Sequence, residues 1–352
     1  MDSDNHIYPE EIYANELYER LQKEPFILEL NAKLTISGAG VHWQCDVSNN
    51  GVLSEINCFE EGVYGPQYLI FFKSKDETKA VLRTNSIDET ISSVSTWLRY
   101  SDVEILYKNH PFVDESKRNL THLHQVIVRL APRLAKESEH QLSSRLSEFY
   151  SLNFLYKNRS CIISAADHFQ NHLVSFKDDQ VQICSFREKD PNIIARAINS
   201  WLLEHSPPTM LGREFDGLTF SEIAIYYEIG KPIIGEFIQS WNIVEQFFLH
   251  INRKLESAQA YGLLTKMRLA GYDKTLRAGQ SLMTLILSRS RRHGLQSDQP
   301  CMYFNFYDNE INVRCNFLDE GVQEYKFPYY SSKELSIELI DLLDKLVAFP
   351  IN

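Results

Sequence analysis

The chain has 352 residues, 43% hydrophobic and 24% charged, the composition of an ordinary folded protein, and its 12% of aromatic residues excludes a disordered chain. A net charge of −11 excludes a surface that is a nucleic-acid footprint throughout. No apolar run reaches the about eighteen residues that a spanning helix needs. The acidic, polar start Met1-Asp-Ser-Asp-Asn-His6 lacks the basic segment and apolar run of a secretory signal, so a cytoplasmic protein is expected.

Residues 9–24 read as a helix, with Pro9 in the first turn and Glu10 and Glu11 beside it, where acidic groups suit the helix dipole. Residues 41–47 alternate apolar and polar side chains, as a half-buried strand does, and Asn49-Asn50-Gly51 supplies a tight turn. Strands are expected to follow at 52–59, 68–73 and 79–84. Asn85-Ser86 then caps a helix with Ile87, Ile91, Val94, Trp97 and Leu98 on one face. Residues 101–118 read as a linker. Helices are expected at 120–134, kinked by Pro132, and at 138–152, where Leu142, Leu146 and Phe149 share a face. Strands are expected at 161–165, 173–176 and 181–186, then a helix from Pro191 to beyond Trp201, closed by Pro207-Pro208. From 220 to 292 the pattern is helical. Its clearest stripe starts near Pro232 and includes Phe237, Trp241, Val244 and Phe248, widened by Ile243 and Phe247. Further helices are expected at 258–269 and 275–290. The last strands are expected at 302–306, 311–317 and 322–327, and Ser331-Ser332 caps the final helix.

One device recurs: strands, then a helix of similar length. Two of these helices end on echoing phrases, Val94-Ser-Thr-Trp97-Leu98 and Ile198-Asn-Ser-Trp201-Leu202. The third ends on Ile340-Asp-Leu-Leu343. The expected fold is α+β, with three tandem modules of helix, three or four antiparallel strands and helix, and a helical insertion between the second and third. The expected boundaries are 1–110, 111–212, 213–300 for the central helices, and 301–352. The six cysteines fall two per module, at 45 and 58, 161 and 184, 301 and 315, and read as small buried apolar residues. A disulfide between Cys301 and Cys315 across a hairpin is the minority alternative.

The charge is uneven. Residues 252–292 carry nine Lys/Arg against Glu256 and Asp273. In one reading these basic groups dock on acidic parts of the same chain or of another copy. In the other, Arg289, Arg291 and Arg292 of Ser288-Arg-Ser-Arg-Arg-His293 grip a phosphate or carboxylate, joined by Arg268 and Arg277. The plainer role of that run is to offset a helix dipole. The third module, helix–three strands–helix, resembles in outline the core of metal-dependent nucleases of the restriction-endonuclease-like superfamily. That resemblance implies Asp308 or Glu310 with Glu324-Tyr-Lys326 holding Mg²⁺ and orienting a water. Strand alternation gives a different account, since with Tyr325 and Phe327 inward, Glu324 and Lys326 point to solvent. His122-x-His124 and His168-x₃-His172 lack a third ligand, so no metal and no cofactor is expected. No phosphate loop, nucleophile elbow or dinucleotide fingerprint occurs.

The expectation is therefore a non-enzymatic protein-binding module: an adaptor, a chaperone-like protein or an immunity-type inhibitor. At fold level the unit is similar to the small chaperones of bacterial secretion systems. The expected partner is another protein or a further copy, not nucleic acid or membrane. The alternatives are a Mg²⁺-dependent nuclease or other phosphate-ligand enzyme, and a structural subunit of an assembly.

Overall fold

The computed structural model describes residues 8–60, 67–145, 149–165, 171–251, 254–292, 298–307, 310–318, 321–328 and 335–352. The chain is α+β, with three sheets of five, six and five strands, each built on a five-stranded meander followed by a helix. It forms two compact units: Met1–Phe154 with Ile162–Leu173 and Lys189–Asn192, and Leu155–Cys161 with Val174–Glu188 and Ile193–Asn352. Among the described residues no helix is long and apolar enough to cross a membrane.

The first unit opens with α1 (Pro9–Gln22) and α2 (Pro25–Glu29), both begun by a proline that needs no N–H partner there. Then come β1 (Lys33–Ala39), β2 (His42–Asn49), β3 (Val52–Cys58), β4 (Tyr68–Ser74) and β5 (Glu77–Thr84), in sequential order in one sheet. Asn50 and Gly51 take φ of 47° and 80° in the β2–β3 turn, the left-handed backbone that a two-residue hairpin demands. Helix α3 (Ile87–Tyr100) is capped by Ser86, which accepts the Glu89 N–H at 3.2 Å. It buries Ile91, Val94, Trp97 and Leu98 against Ile56, Ile70, Phe72 and Leu82 of the sheet, with Leu17 and Leu21 of α1 in the same core. The Trp97 indole donates to Lys73 O at 3.3 Å, and its ring lies 5.8 Å from that of Phe72.

The stretch 101–118 is not a linker. Asp102 caps α4 (Val103–Asn109) by accepting the N–H groups of Glu104 and Ile105. Asp114, in left-handed backbone with φ 50°, then opens α5 (Glu115–Leu130). Its N–H donates to Val81 O at 2.8 Å and its Oδ1 accepts Val81 N–H at 3.1 Å, so one aspartate pairs the outer edge of β5. Tyr107 donates to Oδ2 at 2.7 Å, while burial pushes the carboxyl up from its ordinary range. Ala131 breaks the helix before Pro132, and α6 (Pro132–Glu137) follows.

The second sheet corrects the expected helix at 138–152. That stretch enters β6 (Glu139–Arg145) and β7 (Phe149–Tyr156), followed by β8 (Arg159–Ser164), β9 (His172–Asp178) and β10 (Val181–Glu188). Alternate residues Leu152 and Phe154 are buried, a period of two that the apparent three- and four-residue spacing of Leu142, Leu146 and Phe149 obscures. Helix α7 (Pro191–Leu202) buries Ile194, Ile198, Trp201 and Leu202. Trp201 donates to Lys177 O at 3.2 Å and its ring lies tilted 5.8 Å from that of Phe176, the same arrangement and the same 24-residue separation as Trp97 with Lys73. After α8 (Pro208–Glu214), the two-residue strand β11 (Thr219–Phe220) pairs the outer edge of β10.

The second unit continues with α9 (Ala224–Glu228), α10 (Pro232–His250) and α11 (Lys254–Leu269). A 3₁₀ turn at Tyr272–Lys274 leads into β12 (Arg277–Ser281) and β13 (Thr284–Ser288). The helix expected at 275–290 is thus a hairpin, turning at Leu282 with φ 51° and burying alternate residues Leu285 and Leu287. Next are β14 (Cys301–Phe306), β15 (Glu310–Leu318), β16 (Gly321–Pro328) and α12 (Ile337–Val347), whose cap is Ser336; Ser331 and Ser332 lie outside the described residues. Trp241, Val244 and Phe248 of α10, Leu264 and Met267 of α11, the sheet, and Leu339, Leu343 and Leu346 of α12 make one core. Each meander therefore holds five strands where three or four were expected, and β11 joins the second sheet as a sixth. All six cysteines are buried and free, Cys301 and Cys315 included.

Candidate functional site

The arginine run was the strongest candidate for ligand chemistry, and its surroundings are now defined. Arg289, Arg291 and Arg292 follow β13, not a helix, so they do not cap the end of their own segment. His293 lies outside the described residues. Arg291 reaches back to α10. Its Nε and Nη2 meet the Glu236 carboxylate at 3.1 and 2.7 Å in a two-pronged contact, and its Nη1 lies 2.6 Å from Asp179 Oδ2. Glu236 is 5% exposed and also accepts the Tyr227 hydroxyl at 2.6 Å. The hydrogen bond to Glu236 raises the Arg291 guanidinium above its ordinary pKa, and burial pushes the Tyr227 hydroxyl up.

Arg292 meets Asp179 twice, at Oδ1 and at the backbone carbonyl, both at 2.6 Å. Asp179 sits in the β9–β10 turn with φ 48°, and the Arg292 hydrogen bond holds its carboxyl below the usual range. Arg277 donates to Arg291 O at 2.9 Å, and Arg289 to Phe349 O at 2.8 Å and to Thr275 O. These four guanidiniums are held by two carboxylates and several carbonyls of the second unit. Arg268 is engaged by a different set, Glu245, Asp273 and Asn242. The structure therefore brings Arg277, Arg291 and Arg292 together and gives Arg268 other partners. Asp179, in a turn far away in the chain, carried no sequence signal beyond its charge.

The acidic candidates of the third sheet are placed differently. Asp308 lies outside the described residues. Lys326 is exposed and meets Glu310 at 2.9 Å across the β15–β16 pair, which raises its pKa. Glu324 is exposed opposite Arg314. Phe327 is buried and Tyr325 half-buried, as the alternation of the strand predicts.

Of the histidines, His122 is exposed, His168 lies outside the described residues, and His172 Nδ1 lies 3.3 Å from Ser164 O. Sequence reasoning missed the contact His124 makes: its Nε2 is 2.8 Å from Nδ1 of His140, with Phe154 against both rings. Among the described residues no three His, Cys, Asp or Glu side chains are grouped to hold a metal.

The chain matches no protein-family model and no curated protein. Its function must be argued from its own surfaces. One surface that exposes several aliphatic residues is the α9–α10 pair. Asn242 donates to Glu222 at 2.8 Å, Tyr226 crowds Gly235, and Tyr227 meets Glu236, so α9 runs back along the first half of α10. On this pair Ile225, Ile229, Ile243 and Leu249 are all more than half exposed. Exposed large aliphatic groups concentrated on neighbouring helices are the mark of an interaction surface.

Proposed function

We propose that the chain is a non-enzymatic protein-binding protein of the adaptor, chaperone or inhibitor kind, and that the α9–α10 surface contacts the partner. The observation that carries this reading is the exposure of Ile225, Ile229 and Ile243 on a helix pair whose polar side chains are already bonded to one another. Exposed aliphatic side chains on a rigid backing supply contact area at low ordering cost. The arginine cluster supports the reading from the other side, because Glu236 and Asp179 occupy the groups that a phosphate would need.

The test is affinity purification of the tagged full-length chain from its native cells, comparing wild type with Ile225→Asp/Ile243→Asp. One partner recovered in stoichiometric amount by the wild type and lost by the folded double variant supports the proposal. Undiminished recovery by the variant overturns the assigned surface. Mg²⁺-dependent cleavage of DNA or RNA by the wild type, lost in Glu324→Ala, would establish the nuclease alternative instead.

A further inference from the structure

A sheet edge offers unpaired backbone N–H and C=O groups, and proteins rarely leave a long one open. In two of the three sheets here the last strand is covered on its outer side by chain that follows the next helix. Asp114 pairs Val81 of β5. Thr219 and Phe220 pair Ser185 and Cys184 of β10, continued by Ser221 N–H to Ile183 O at 2.9 Å. The third sheet ends at β16, which among the described residues pairs on one side only, with β15.

The hydrogen-bond phase of β16 follows from its hairpin. Tyr307 N–H donates to Glu310 O, so Glu310 faces β14. By antiparallel alternation Ile311, Val313 and Cys315 face β16, where their partners are Phe327, Tyr325 and Gln323. Val322, Glu324 and Lys326 therefore direct their backbone groups outward. All three are exposed, Val322 at 62%.

These three residues read as a self-complementary strand. Laid antiparallel against a second copy with Tyr325 opposite Tyr325, the strand sets Glu324 opposite Lys326 of the second copy, and Lys326 opposite its Glu324. Glu324 and Lys326, both outward-facing, then form hydrogen-bonded pairs across the axis, and Val322 meets Pro328, which accepts but has no N–H to donate. The charge row on that face becomes Arg314, Glu324, then Lys326 of the second copy, alternating in sign. Shifting the register to put Glu324 opposite itself places like charges face to face, which is unfavourable. We propose that β16 pairs with β16 of a second copy in this register, joining two five-stranded sheets into one around a two-fold axis.

The inference goes beyond the partner-binding reading, which rests on α9 and α10, and either can fail alone. Sedimentation velocity of the full-length chain tests it. Wild type is expected to dimerise, and Lys326→Glu and Glu324→Lys are each expected to weaken the dimer at least about tenfold, because like charges then oppose. An equimolar mixture of the two variants restores a dimer, since each Glu again meets a Lys. A Tyr325→Cys variant, whose new thiol sits at a non-hydrogen-bonded pair with Cα atoms about 4.5 Å apart, forms an interchain disulfide under mild oxidation. A wild type that stays monomeric at all concentrations with no Tyr325→Cys cross-link overturns the proposal and makes Lys326 and Pro328 edge guards. A dimer indifferent to both charge reversals also overturns it.

Discussion

Glu236 shows what a single buried carboxylate demands of its neighbours. At 5% exposure it would be costly to leave charged, and Arg291 and Tyr227 together satisfy it. Arg291→Met strands that charge, and the expected loss is about 3 kcal/mol in urea unfolding. Glu236→Gln/Arg291→Gln is expected to lose less than the sum of its singles, because the two groups share one network. The His124–His140 contact behaves differently. One ring must accept, so one must be neutral. Burial first, and His140 second, lower the His124 pKa below the unfolded value of about 6.5. A histidine depressed in the folded state contributes stability that is complete above about pH 6.5 and is lost as pH falls toward its folded value. Unfolding free energies measured between about pH 5 and 7 should therefore slope upward with pH, and His124→Phe should flatten that slope. Neither pair was legible in the sequence, since each joins residues from separate elements and no local spacing marks it.

Helices with a cap and a continuous apolar stripe were legible: α3 with Ser86, α7 after Pro191, and α10 from Pro232. The strands that were not legible are the first ones of each meander, β1, β6, β7, β12 and β13. β1, β6 and β12 carry Ser37 and Gly38, Ser143, and Gly279, Gln280 and Ser281, which are poor strand formers, while Phe149 in β7 and the apolar residues of β13 fell at spacings that also suit a helix face. Tertiary pairing with the next strand fixes them, which no local window contains. The α9–α10 crossing makes a sharper point about elements. A Cβ added at Gly235 would lie 2.6 Å from Tyr226 Cβ. In an open helix Gly→Ala stabilises by up to about 1 kcal/mol. Here the clash wins, and Gly235→Ala is expected to destabilise by about 1–3 kcal/mol on thermal or urea melting. A neutral or stabilising result would show that the two helices separate easily.

At the scale of the whole molecule, the basic stretch and the acidic remainder meet inside the second unit, where Arg291 and Arg292 hold the turn at Asp179. The overall negative charge thus hides a locally balanced interior. The six thiols follow the same logic of burial. Desolvation pushes Cys58, Cys184 and Cys315 up to about 12, far from the thiolate form that reacts. Native protein is expected to show no rapid reaction with a thiol reagent at neutral pH, and six equivalents after denaturation. Early reaction of one or two would locate a region that opens locally. Each sheet also has its own buried indole, Trp97, Trp201 or Trp241, donating to a main-chain carbonyl. Variants that lack Trp43 and retain one of these at a time would make the intrinsic fluorescence of each layer separately visible, so that a single melting curve resolves into the order in which the layers come apart.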